Sequence, residues 1–96
     1  MLKDRSQSPD GANVIALKAL GFLASEPERL ERFMTLTGLS PQAIRKQATE
    51  PQFLAGVLDY VLADQTLLLL FAEWEGLNPE AVVRARRQLP GAAVDF

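Results

Sequence analysis

Leu67, Leu68, Leu69, Leu70, Phe71 and Ala72 follow one another with no polar residue between them. Successive residues of an α-helix turn by about 100°, so such a run paints the whole circumference of a helix rather than one stripe. A helix of this kind is wrapped by its neighbours on every side, or on most sides with the remaining one turned to another protein. Asp64 stands ahead of the run as a cap and Gly76 behind it as a stop, which marks a helix over about 64–75. The expected fold is all-α, a compact bundle built around this buried central helix.

A chain of 96 residues makes one domain, able to hide roughly 60–65% of its unfolded surface. With a formal charge of −2 it has no overall basic field to draw in nucleic acid or an anionic membrane. It has no Cys and no His, which removes disulfides, thiolate chemistry and the commonest general base and metal ligand. The expectation is a protein that is not an enzyme, with no catalytic residues, no cofactor and no metal. Residues 1–9 are polar and mixed in charge, read as a flexible arm without an apolar signal core, so the protein is expected in the cytoplasm. The longest apolar run is far short of the ~20 residues a bilayer span needs, and no membrane crossing is expected.

The rest of the chain divides into helices by local signals. Asp10 is a candidate cap for a first helix carrying Val14, Ile15, Leu17, Leu20 and Leu23. Ser25-Glu26-Pro27-Glu28 has a capping-box arrangement and opens a second helix, with Leu30, Phe33, Met34 and Leu36 inside and a Glu28–Arg32 pair outside. Gly38 ends it. Ser40-Pro41 opens a short third helix with Ala43 and Ile44 inward. Thr49-Glu50-Pro51-Gln52 repeats the capping box before a fourth helix with Phe53, Leu54, Val57, Leu58, Val61 and Leu62. Asn78-Pro79 caps a last helix with Ala81, Val82 and Ala85 inside, ending near Leu89-Pro90-Gly91, and residues 92–96 form a short, mostly apolar tail.

Superimposing the two glycine stops reveals an internal repeat. Gly38-Leu39-Ser40-Pro41-Gln42-Ala43-Ile44 matches Gly76-Leu77-Asn78-Pro79-Glu80-Ala81-Val82 at an offset of 38 residues. The same offset pairs Leu20 with Leu58, Phe22 with Tyr60, Leu23 with Val61, Leu30 with Leu68, Phe33 with Phe71 and Leu36 with Trp74. The six-helix bundle is therefore expected to consist of two pseudo-repeated three-helix units, about 13–50 and 51–88, within a single domain over 10–91. Neither unit holds enough core to stand alone.

Phe22-Leu23-Ala24, then Pro27, Leu30 and Phe33, then Thr37-Gly38-Leu39, with Leu69-Leu70-Phe71 downstream, resemble a family of small uncharacterised proteins of alphaproteobacteria known only as a domain of unknown function. The likeness covers roughly residues 12–90 and includes the Gly-Leu-x-Pro turns. It implies an all-helical fold and brings no functional residues.

Three functions compete. The leading expectation is a protein–protein interaction or adaptor module, whose surface would comprise Leu67, Leu70, Trp74, Val94 and Phe96, with an unknown protein partner or a second copy as its ligand. The second is a nucleic-acid-binding regulator using a helix-turn-helix-like pair over about 65–88, since Ala72, Gly76 and Val82 have the spacing of that motif. Pro79 and Glu80 open its would-be recognition helix, offering phosphates no donor and a negative charge, so nucleic acid is disfavoured. Arg84 and Arg87 form a candidate basic patch on one side of that helix, while Arg86 points elsewhere. The third is a small-ligand site between the halves. Tyr60 and Trp74 read as core or edge aromatics rather than a ligand box.

Overall fold

A computed structural model of the chain describes residues 9–91, with side chains from Gly11 onward. The described residues form six helices: α1 Pro9–Ala24, α2 Pro27–Thr37, α3 Pro41–Gln47, α4 Pro51–Leu62, α5 Gln65–Glu75 and α6 Pro79–Arg87. An offset of 38 carries α2 onto α5 end for end and starts α6 where α3 starts, so the repeated sequence units are repeated helical units.

Local chemistry sets most of the boundaries. Ser40 Oγ accepts from the Ala43 amide at 3.1 Å, Asp64 Oδ1 from the Leu67 amide at 3.2 Å, and Asn78 Oδ1 from the Glu80 amide at 2.9 Å, each satisfying a donor with no partner inside its helix. Gly38 and Gly76 end α2 and α5 in the left-handed region, at φ 76° and 72°, a conformation that costs a side-chain-bearing residue dearly.

Three expected caps do not form. Asp10 lies inside α1, which begins at Pro9. The boxes at Ser25 and Thr49 are displaced because the residue before a proline is pushed into extended backbone, and Glu26 and Glu50 take the cap positions without side-chain bonds. Ser25 Oγ instead donates to the Phe22 carbonyl at 2.7 Å, serving the end of α1 rather than the start of α2.

The core sits between α1 and α4. Ala12, Ala16 and Ala19 line one side of α1 and are fully enclosed, and Leu54, Val57, Leu58 and Val61 meet them from α4. The small side chains let α4 and α6 close on α1, and α6 seats Ala81, Val82, Ala85 and the following Leu89 in that angle. Phe22, Leu23, Phe33 and Phe71 fill the remainder.

This arrangement corrects the expectation of an enclosed central helix over 64–75. α5 buries Phe71 and Ala72 and half-buries Leu67 and Leu68, but Leu69 and Leu70 are 49% and 45% exposed. The helices packed most closely on α5 are α4, α1 and α6. The centre of the bundle is the α1–α4 pair, because α1 offers alanines where close approach is needed and α5 offers leucines.

The repeat also breaks in one place. α6 packs on α1, α4 and α5, whereas its counterpart α3 approaches no other helix as extensively and buries no residue. At the offset of 38, α6 has Ala85 where α3 has Gln47, and α5 and α4 have Ala72 and Ala55 where α2 and α1 have Met34 and Leu17. Bulk and polarity hold α3 off; small apolar residues draw α6 in.

Candidate functional site

The exposed part of α5 is one continuous arc. At about 100° per residue, Leu69, Thr66, Glu73, Leu70 and Trp74 fall within about 140° of circumference, and all five are exposed. Trp74 is 53% exposed, yet its ring is not loose: it packs on Phe22 of α1 with centroids 5.2 Å apart. Lys18 Nζ reaches Glu75 at 3.5 Å and ties the same two helices together at the end of the arc.

Beside the arc, Phe22, Ser25, Glu26, Arg29, Leu70, Glu73 and Trp74 line an open cleft of about 300 Å³. The Arg29 guanidinium lies 4.3 Å from the Phe22 ring centroid and donates to the Phe22 carbonyl at 3.5 Å. An aromatic–leucine platform is thus bordered by Arg29, Glu26 and Glu73, an apolar centre with a polar rim.

Of the residues expected to form an interaction surface, Leu70 and Trp74 are brought together here. Leu67 is half-buried and lines a different cleft, of about 310 Å³, with Glu26, Glu28, Arg29, Arg32, Tyr60 and Asp64. Val94 and Phe96 lie outside the described residues. Leu69 also belongs to the exposed arc, against the enclosure expected of the apolar run; its position a turn away from Glu73 is the available signal. The cleft at Leu67, like the one beside the arc, is lined from both halves, and its mixed acids and arginines give it no single charge preference.

Arg84 and Arg87 are both exposed on the outer side of α6. Arg86 turns away from them and grips Asp59 of α4 through Nε and Nη2, at 2.5 and 3.1 Å, with Nη1 donating to the carbonyls of Leu89 and Pro90. The anticipated Glu28–Arg32 pair is not among the ion pairs of the described residues. The Ala72–Gly76–Val82 spacing does build a helix, a left-handed glycine and a second helix. However, α6 rests against three helices, and its free side carries Glu80 beside the two arginines.

Among the described residues no group of three or more acidic side chains converges on a point that could hold a metal ion. No single helix there is long and apolar enough to cross a membrane, and α4 and α5, apolar enough when joined, meet at 111°.

The described residues therefore define a small all-helical domain of two related three-helix units. The chain belongs to the family described as Protein of unknown function (DUF3572), whose model matches residues 9–92. No curated protein and no solved structure matches it.

Proposed function

We propose that this protein is a non-enzymatic interaction module of the cytoplasm that presents the outer arc of α5 to a partner protein. The observation that supports it is the placement of Leu69, Leu70 and Trp74, all about half exposed, on one face of one helix. Three large apolar side chains side by side on so small a domain leave an apolar patch of a few hundred Å², the size at which such patches mark contact sites. Tryptophan is also the residue most often found to dominate interface energies, and Trp74 is held ready by Phe22 rather than free to fold back. A partner with an apolar ridge or groove would bury this platform and meet Arg29 and Glu73 at its edge.

The experiment is site-specific photo-crosslinking in the producing cell. A photoreactive residue at Glu73, in the middle of the arc, is expected to give a discrete adduct to another protein, while one at Gln52, exposed on α4, gives none. Equal labelling from both positions, or none from Glu73, overturns the reading.

A further inference from the structure

The gap left by α3 is a groove. Leu17, Leu20, Gly21 and Ala24 of α1, Leu30 and Met34 of α2, and Pro41 and Ile44 of α3 enclose about 370 Å³, and Arg45 is the one charged residue on its wall. In the second half the corresponding positions include Ala55, Leu58, Ala72 and Val82, which are closed over by direct packing of α6. The first half keeps open what the second half seals.

Two segments of the chain lie beyond the described residues. Residues 1–8 include Lys3, Asp4 and Arg5, too much charge for an apolar groove with a single cation on its rim. Residues 92–96 read Ala-Ala-Val-Asp-Phe, four apolar side chains and one acid. That composition complements the groove in both respects: apolar against apolar, and Asp95 against Arg45.

Chain length argues against the groove of the same molecule. A Cβ at Gly91 would sit 3.4 Å from Arg86 Nη2, and that guanidinium is clamped on Asp59, so the chain leaves the described fold over Asp59. Asp59 is on the side of α4 turned away from the Leu54, Val57, Leu58 and Val61 stripe that meets α1. The groove is on the side of α1 turned away from its alanines. Two packed helices with axes ~8–10 Å apart put about 20 Å between their outer faces through the core, and more around the surface. Five extended residues span at most ~18 Å.

We infer that the groove between α1, α2 and α3 receives residues 92–96 of a second copy of this chain, with Asp95 paired to Arg45, so that two molecules exchange tails. The exchange is reciprocal and closes on itself, as a two-fold contact must. It uses a surface separate from the α5 arc and stands without the reading proposed for that arc.

The test is sedimentation velocity of the purified full chain across the micromolar range. A dimer is expected, converted to monomer by removing residues 92–96, a change that touches no described residue. Arg45→Glu should weaken the dimer roughly tenfold or more, and adding Asp95→Arg should restore it. Leu17→Asp, at a position 41% exposed in the groove, should also give a folded monomer by circular dichroism. A full chain that stays monomeric overturns the inference, as does a dimer that survives loss of residues 92–96 or a charge reversal that restores nothing. Protection of a fluorine label on Phe96 in a monomer would place the tail in its own groove and equally overturn it.

Discussion

Phe33 of α2 and Tyr60 of α4 meet edge to face, with ring centroids 4.9 Å apart and planes at 81°. Moving each by 38 residues gives Phe71 of α5 and Phe22 of α1, and those rings also touch, at 5.4 Å and 48°. One contact is thus made twice, with the roles of the halves exchanged. Each half contributes one ring from its first helix and one from its second, and neither pair exists without the other half. The two units are bound into one core by the residues that make them look alike.

The energetic weight follows burial. Leu58 and Phe71 are fully enclosed, so Leu58→Ala should cost ~2–5 kcal/mol and Phe71→Ala ~3–5 kcal/mol in urea unfolding, from lost transfer energy and the cavity left behind. Leu36, the counterpart of Trp74 and 66% exposed, should change stability by less than ~0.5 kcal/mol when replaced by Ala. Equal losses at all three positions would remove the α1–α4 core from the account.

The Arg86–Asp59 pair separates two contributions. Asp59 has 58% of its side chain exposed, so its ion pair is screened and worth about 0.2–1 kcal/mol. Arg86 also serves the Leu89 and Pro90 carbonyls. Arg86→Ala should therefore destabilise more than Asp59→Ala, and in high salt both losses should shrink by the ion-pair contribution they share, while the share of the carbonyl bonds stays in the Arg86 loss. Thermal melts at two salt concentrations measure both, and identical losses would show that the carbonyl bonds contribute nothing.

The legible parts of this fold are the local ones. Gly38, Gly76, Ser40, Asp64 and Asn78 mark their helix ends because a cap needs only its own neighbours. The boxes at Ser25 and Thr49 misled because Pro27 and Pro51 move the start of each helix by one residue, an effect of backbone sterics on the residue ahead. The enclosure of α5 was not legible, since an apolar run states how much surface wants cover and not how many helices arrive to give it. That number was set elsewhere, by Ala12, Ala16 and Ala19, whose small size made α1 the helix that others could approach. The same alanine-for-leucine logic, in Ala55 and Ala72 against Leu17 and Met34, separates a sealed half from a grooved one. It was present in the repeat, as differences rather than matches.

Trp74 is the sole tryptophan and reports directly on the arc. Its fluorescence should be quenched readily by acrylamide in the isolated protein, since about half the side chain meets water. Phe22 packs on the ring without enclosing it. Quenching as slow as that of a buried indole would mean that the face is already covered.

The central claim is that Leu69, Leu70 and Trp74 serve contact rather than folding, and Leu70→Lys in the photo-crosslinking protein tests it most directly. The account predicts a stability within about 1 kcal/mol of the parent in urea, because the position is 45% exposed, together with loss of the adduct formed from Glu73. A loss of more than ~2 kcal/mol, or an adduct undiminished by the lysine, would contradict it.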